Sequence, residues 1–186
     1  VFPGIYSGRY YEVGYIMTST ASNVLDLAKA LVKIPSYVSE GHDEVAIINY
    51  LEEYFRDYLP MYHRKVQQLD GENRSNLYLM GSKPTRVLFV GHVDTVMPSD
   101  GWETDPLEPT VRDGALYGLG VADMKGSIAS LLIALQELDP RLLEQTAVLL
   151  YLDEEYDFMG MKQLLRDGLY DENSKPELIV SLDGGL

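Results

Sequence analysis

Short apolar runs that alternate with longer amphipathic segments constrain the fold of this sequence more than any other feature. Residues 86–91 (RVLFVG) and 146–152 (TAVLLYL) are almost continuously apolar, which is typical of strands that are covered on both faces. Further strand-like runs occupy residues 63–69, 76–80 and 177–182. Since helix-like segments fill the intervals, we predict an α/β fold, a three-layer αβα sandwich with a mixed, mainly parallel sheet.

Two amphipathic helices are predicted before the first strand. The first begins at Ser22 or Asn23, residue types that cap helix starts well, and ends before Pro35. The second covers about residues 43–59. Apolar residues recur along one face of each helix at the helical spacing. They are Val24, Leu27, Ala28, Leu31 and Val32 in the first helix, and Val45, Ile48, Leu51, Phe55 and Tyr58 in the second.

The second half of the chain predicts a hairpin and two more helices. Residues 109–118 (PTVRDGALYG) indicate a β-hairpin, because Asp113-Gly114 is a favoured two-residue turn between strands. The helices are predicted over residues 125–138 and near residues 158–166. This alternation of strands and helices supports the layered α/β architecture.

The composition limits the partners and the compartment of the chain. Acidic residues outnumber basic ones by 29 to 15, and the net charge of -14 argues against a nucleic acid or an anionic membrane as partner. No run approaches the ~18 consecutive apolar residues of a membrane-spanning helix. The chain has no cysteine, which excludes disulfides and thiolate metal sites and leaves the redox compartment undetermined. Since the sequence shows no secretory signal, we predict a cytoplasmic protein.

Acidic residues and one histidine follow the apolar runs at the point where each run ends. His92 and Asp94 come directly after residues 86–91, and other acids follow the hairpin and the two later strands. Those acids are Asp123, Asp153, Glu154, Glu155 and Asp183. In open α/β sheets, active sites lie beyond the carboxyl ends of the strands. We therefore expect these side chains to gather at one edge of the sheet.

A divalent metal ion best explains such a cluster. Taken singly, a histidine after a strand is usually a loop residue, and acids at a helix start interact favourably with the helix dipole. Taken together, the carboxylates disfavour each other's ionisation unless a cation lies among them, and Lys125 supplies only a single charge. Mixed imidazole and carboxylate ligands suit zinc, manganese or cobalt better than calcium.

Three motifs, GHVDTV (91–96), DGALYGLGVADMKG (113–126) and YLDEE (151–155), resemble in this order those of the M20 family of metallopeptidases and deacylases. The resemblance covers about residues 22–186. It implies an enzyme, a metal-dependent hydrolase of amide bonds in N-acyl amino acids or small peptides, and a full-length protein that forms a homodimer. The stretch GHVDTVMPSDGWETDP (91–106) is most similar to members that deacylate acetylornithine or succinyl-diaminopimelate.

Carried onto the matching positions, the resemblance gives each clustered residue a role. His92 and Asp183 would bind the first of two metal ions, Asp123 would bridge both, and Glu155 would bind the second. Zinc is the metal most readily implied, with cobalt or manganese as alternatives. Asp94 would orient the imidazole of His92 and fix its tautomer. Glu154 would be the general base that accepts a proton from the attacking water. The family also holds the Asp123-Met124 peptide bond in cis.

The sequence departs from the family pattern in two places. No residue of this chain matches the histidine that completes the family's second metal site, so that site is expected to be incomplete. His42 and His63 are the only other histidines, and we expect both to be structural or surface residues. The segment LDGGL (182–186) stands where many members carry GEP after the acidic ligand, which makes Asp183 the least secure assignment.

The resemblance also divides the chain into two parts. Residues 1–16 are rich in tyrosine and glycine without periodicity and precede Met17, so we predict that they are an extension or a tag. Residues 17–186 are predicted to be the N-terminal segment of the catalytic domain, without the lid or dimerisation domain and the C-terminal segment. By itself the chain is therefore expected to be inactive or weakly active.

Two other functions stay open on the sequence alone. A non-catalytic metal-binding or interaction module could keep the same fold. A nucleotide-binding α/β protein could use GLGVADMKGS (118–127) for phosphate, although this run lacks the third glycine of the usual motif and follows a hairpin.

Overall fold

A computed structural model of the chain describes residues 23–69, 71, 73–168 and 175–183. The strands are β1 (His63–Gln68), β2 (Ser75–Met80), β3 (Val87–His92), β4 (Thr110–Arg112), β5 (Ala115–Tyr117), β6 (Thr146–Tyr151) and β7 (Leu178–Ser181). The helices are α1 (23–32), α2 (Val45–Tyr58), α3 (Gly126–Glu137), α4 (Pro140–Leu143) and α5 (Met159–Asp167). Within these ranges, no helix has both the length and the apolar character needed to cross a membrane.

The main sheet is mixed, as predicted. Its five strands lie in the order β1-β2-β6-β3-β7. Strand β3 pairs in parallel with β6 on one side and β7 on the other, whereas β2 pairs antiparallel with both β1 and β6. The four pairings described in this sheet are thus evenly divided between the two directions, rather than mainly parallel. The parallel half, β6-β3-β7, brings three strand ends to the same edge.

Helices cover both faces of this sheet, which confirms the three-layer sandwich. Every residue of β6 is buried, as its continuous apolar run indicates. On one face, alternate residues such as Leu77 and Leu150 belong to a core built with α1, α2 and α3. On the other face, Tyr78 and Leu149 pack with Leu164 of α5. The two faces are separated by the strand periodicity of two.

The predicted helices and strands agree with the structure to within two residues at every described boundary. Ser22 and residues 1–16 lie outside the described residues. The short helix α4 was not predicted; it begins with Pro140 after Asp139, whose side chain accepts a hydrogen bond from the Arg141 N–H. Aspartate before proline is a favourable helix start.

One predicted core residue of α2 is wrong. Tyr58 was assigned to the apolar stripe, yet 59% of it is exposed, and its ring packs 4.7 Å from that of Tyr54. Leu59, directly after the helix, is buried in its place. Leu59 lies four residues after Phe55, which lies four residues after Leu51, so the buried face of the helix follows this spacing and Tyr58 lies beside it.

The predicted hairpin between β4 and β5 is confirmed. Arg112 pairs with Ala115 across the turn, and Asp113 and Gly114 both have positive φ, at 52° and 79°. Positive φ at both central residues defines the turn type that matches the twist of a two-stranded hairpin. The hairpin leads into residues 118–125, which carry the predicted metal ligand Asp123.

Gly160 allows α5 to start directly against the sheet. Its N–H donates to the Leu152 carbonyl, and a Cβ at this position would lie 2.7 Å from the backbone N and O of Leu152 and would also overlap Asn76 Oδ1. Asn76 is fully buried, donates to the Gly160 carbonyl at 2.8 Å and accepts from Leu152 N–H. The start of α5 is thus fixed to the ends of β2 and β6.

Replacing this glycine tests the close contact. Gly160→Ala should lower the free energy of unfolding by on the order of 1–3 kcal/mol, because the backbone of Leu152 cannot move aside without disturbing β6. Urea unfolding measures the change. Lys162→Ala, on an exposed position of the same helix, should stay within about 0.5 kcal/mol of wild type. If Gly160→Ala is stabilising, as helix propensity alone would make it, the packing is looser than described.

Candidate metal centre

The predicted site residues follow the ends of the parallel strands. In the β3–β6 register His92 lies beside Tyr151, so Glu154 and Glu155 emerge next to His92 and Asp94. Strand β7 is paired with the other side of β3 and leads to Asp183 at the same edge. The parallel pairings therefore bring together residues that are about 30 to 90 positions apart in the chain, as the strand-end rule predicts.

Three of these residues form a compact donor group. The imidazole of His92 and the carboxylates of Asp123 and Glu155 each offer one ligand atom, and these atoms all lie within 4.8 Å of one another. His92 Nε2 is 2.9 Å from Asp123 Oδ1. His92 is buried, Glu155 is partly buried and Asp123 is exposed, so the group opens to solvent on one side. One imidazole and two carboxylates are a donor set that fits zinc or a similar divalent ion.

A distorted turn over residues 121–125 delivers Asp123 to this group. The turn opens after Gly120, which has φ 74°, and closes with the Lys125 N–H donating to the Gly120 carbonyl. The Asp123-Met124 peptide bond is cis, as the family resemblance implies. The buried Met124 side chain packs on Gly91, where a Cβ would lie 2.7 Å from Met124 Cε. The glycine before His92 therefore lets the turn approach β3.

Asp94 connects the histidine to the acidic turn after β6. It is fully buried, and its two carboxylate oxygens accept the N–H groups of Glu154 at 3.0 Å and Glu155 at 2.9 Å. Its Oδ1 also lies 3.4 Å from His92 Nδ1, while its backbone carbonyl is 3.1 Å from the same nitrogen. Acceptors on this side place the proton on Nδ1 and leave Nε2 for the donor group.

The arrangement shifts the pKa values of the central residues. Burial alone would lower the pKa of His92, but hydrogen bonds to Asp94 and Asp123 raise it to about 9. Burial would raise the pKa of Asp94, yet His92 and the amides of Glu154 and Glu155 hold it below its usual value. Asp94 is thus kept ionised where it is buried.

The pKa values of Glu154 and Glu155 are raised, in contrast to the lowered pKa of Asp94. Burial raises the pKa of Glu154, and the charges of Asp183, Asp94 and Asp123 raise it further against the effect of His92. Burial and the charge of Asp123 likewise raise the pKa of Glu155. Asp183 is close enough to act on Glu154 but is not a member of the donor group. Its predicted role as a metal ligand stays a prediction.

The sequence profile of peptidase family M20/M25/M40 matches residues 88–185, which is more than half of the chain. That range contains the donor group, Asp94 and Glu154. The chain belongs to this family.

Curated relatives within the M20 family include two kinds of deacylase. A succinyl-diaminopimelate desuccinylase of Sulfurovum sp. (strain NBC37-1) is 31% identical over 160 residues, which covers 85% of this chain and 41% of the relative. An acetylornithine deacetylase of Pectobacterium carotovorum subsp. carotovorum (strain PC1) is 37% identical over 146 residues, covering 74% of this chain and 38% of the relative. The chain therefore spans less than half the length of these M20 relatives.

Solved structures of M20 proteins share the fold. An M20 family metallo-carboxypeptidase, Sso-CP2 from Sulfolobus solfataricus, superposes with a TM-score of 0.67 at 21% identity over 88% of this chain and 38% of that chain. The dipeptidase Dug1p from Saccharomyces cerevisiae gives a TM-score of 0.65 at 18% identity, with 88% and 39% covered. At these identities the likeness establishes the αβα architecture.

His42, His63 and Lys125 do not belong to the donor group that the described residues form. His42 is exposed and stacks on Tyr37 at 4.8 Å, and His63 is exposed in β1. The Lys125 side chain is buried and its Nζ donates to the Ile34 carbonyl at 2.8 Å. Burial lowers the pKa of Lys125 to about 7.

Sequence reasoning missed a set of buried charged side chains that contact the YLDEE motif through Asp153. Glu44 and Arg74 are buried and form hydrogen bonds with each other, and Arg74 also reaches Asp153. Both lie in polar stretches, SEGHDE and GENRSN, that indicate exposed loops. The one available signal was Asp153 in the YLDEE motif, an acid to which the family resemblance assigns no role.

The raised pKa of His92 predicts a pH-dependent contribution to stability in the chain stripped of metal by a chelator. The folded state holds this proton more tightly than the unfolded state, so the stabilisation is complete below about pH 6.5 and is lost as the pH rises through about 9. The buried Lys125 acts in the opposite direction above pH 7, since unfolding restores its ordinary pKa. Its effect is common to wild type and variant.

The measurement is therefore a difference. Urea unfolding of wild type and His92→Asn at intervals of pH should show wild type more stable at low pH, with the difference shrinking between about pH 6.5 and 9. If the difference in unfolding free energy stays constant across this range, the folded state does not raise the pKa of His92.

Proposed function

We propose that this chain is part of a metal-dependent hydrolase that cleaves amide bonds in N-acyl amino acids or small peptides. The observation that carries the proposal is the His92, Asp123 and Glu155 group, with ligand atoms within 4.8 Å of one another, and with Glu154 directly before Glu155 in the chain. The names of the relatives support the substrate class, since they include a desuccinylase and a deacetylase that act on acylated amino acids.

The donor set defines where metal would bind. His92 through Nε2 and Asp183 would hold a first divalent ion, Glu155 would hold a second, and Asp123 would serve both, with zinc the most readily accepted metal. When bound, the metal supplies Lewis acidity, which polarises an amide carbonyl and acidifies water. Cobalt or manganese would suit the same oxygen and nitrogen donors.

Glu154 is proposed as the general base. Its backbone is fixed by the N–H bond to Asp94, while its carboxylate takes part in no hydrogen bond of the described residues. Burial and the nearby acids raise its pKa, which brings it closer to the neutral pH at which a base works best. A carboxylate oxygen of Glu154 would accept the proton of the attacking water and return it to the leaving amine nitrogen.

Asp94 is proposed to hold the geometry for this step. Its contacts with His92 Nδ1 and with the amides of Glu154 and Glu155 keep ligand and base at a fixed separation. The acyl group is proposed to be of the succinyl or acetyl kind, on the strength of the deacylase relatives. The homodimer of the full-length protein and its cytoplasmic location stay predictions.

Replacing the proposed base tests the mechanism. In the full-length protein, Glu154→Gln should lower kcat by about 10²- to 10⁴-fold, because the amide cannot accept the proton, while zinc still binds. Hydrolysis of N-acetyl and N-succinyl amino acids and a zinc titration give the two readouts. Glu53→Gln, at an exposed position on α2, is the matched control and should keep full turnover.

Unchanged turnover in Glu154→Gln would remove the proposed mechanism. Zinc binding without turnover in the wild-type full-length protein would favour the non-catalytic metal-binding module instead.

A further inference from the structure

Three charged side chains are buried together behind the donor group. Glu44, directly before α2, is fully buried, and Arg74 and Asp153 are 8% and 3% exposed. Arg74 Nε and Nη2 donate to the two oxygens of Glu44 at 2.6 and 2.5 Å, and Nη2 also donates to Asp153 Oδ1 at 2.9 Å. One guanidinium thus connects the start of α2, the start of β2 and the turn after β6.

Stability alone is a weak reason for such a cluster. Removing charges from water costs several kcal/mol per ion, and a well-packed apolar replacement is often as stable. The cluster also holds two carboxylates against one cation, which leaves a net negative charge in the interior. What an arginine provides here is geometry, since its planar fork can hold both carboxylates in fixed directions.

Asp153 transmits that geometry to the acidic turn. Its Oδ1 is held by Arg74, while its Oδ2 accepts the N–H groups of Asp157 at 3.1 Å and Met159 at 3.3 Å. Its backbone carbonyl accepts the Phe158 N–H at 2.7 Å. Asp153 itself has φ 65°, a left-handed conformation that is uncommon for residues other than glycine and that aspartate adopts more readily than most. Residues 153–159 therefore form a turn closed around one carboxylate.

This turn carries Glu154 and Glu155 and is held from two sides. On the side of the donor group, Asp94 accepts both glutamate amides. On the opposite side, Arg74 fixes Asp153, the residue directly before them. Asp94 determines where these two backbone amides lie, but the path of the chain on either side of them depends on Asp153.

We propose that Arg74, oriented by Glu44, is a positioning residue that holds Asp153 and so sets the direction of the Glu154 and Glu155 side chains at the metal centre. The inference deepens the proposed function and rests on it for the roles of the two glutamates. Arg74 is not a member of the donor group. It acts through Asp153 and the turn.

Charge-matched variants separate this role from simple charge balance. Glu44→Gln keeps the Arg74–Asp153 contact. The double variant Glu44→Gln with Arg74→Met has the same buried net charge as wild type but lacks the contact. Arg64→Met is the control for loss of an arginine. Arg64 lies on β1, and its exposed side chain pairs with Glu52. Arg74→Lys keeps the charge without the fork and is the variant to use if the double variant does not fold.

Two readouts on the chain are needed. The first is amide hydrogen exchange in the presence of a chelator, compared between residues 153–159 and strand β6. The second is a titration with Co²⁺ alone, followed by its visible absorption. Relative both to wild type, which has the same buried net charge, and to Glu44→Gln, the double variant should exchange about 10-fold faster in the turn but not in β6. It should also bind Co²⁺ about 10- to 100-fold more weakly, as other variants of residues that support ligands do. Arg74→Lys should move both readouts in the same direction.

The possible results divide cleanly. Faster exchange confined to the turn, with weaker Co²⁺ binding and a changed spectrum, supports the inference. Exchange and Co²⁺ affinity equal to those of Glu44→Gln would overturn it, and so would a uniform rise in exchange that includes β6, because that indicates a merely structural role. Wild-type chain that binds no Co²⁺ would count against the proposed function, while exchange in the turn would still decide the role of Arg74.

Discussion

The buried carboxylate of Asp94 is the interaction on which the rest of the site depends. It follows β3 and faces His92 Nδ1 on one side, while its two oxygens accept the amides of Glu154 and Glu155 on the other. A carboxylate that accepts several hydrogen bonds stays ionised even in the interior. One side chain thus fixes the relative positions of a ligand from the end of β3 and two acids that follow β6.

The sheet makes this contact possible. Parallel pairing of β3 and β6 brings His92 next to Tyr151, and helices on both faces keep the two strands from moving relative to each other. The polar ends of the strands are then held by buried side chains, with Asp94 on the side of the donor group and Arg74 with Glu44 on the other. Rigid strands supporting short, internally bonded loops are the usual basis of a precise site.

The sequence predicted the parts that follow from local pattern. Strand and helix periodicity, the Asp113-Gly114 turn and the strand-end rule all use neighbouring residues, and they located the elements and gathered His92, Asp123 and Glu155. The buried Arg74 network escaped because Arg74 and Glu44 lie in polar stretches, and because the two partners of Arg74 are 30 and 79 residues away from it. No local pattern distinguishes a buried arginine from an exposed one. The Tyr58 prediction failed because Tyr58 and Leu59 follow Phe55 by three and four residues, and helical periodicity alone does not decide which of the two faces the core.

The three donors of the site come from three separate parts of the chain, each roughly thirty residues after the one before. A cation held by them would tie distant stretches of chain together, in a protein that has no cysteine with which to do so. A cation that binds only the folded form leaves the unfolded chain unrestrained and stabilises the folded form by mass action. Metal supply would then influence how much of the polypeptide survives proteolysis.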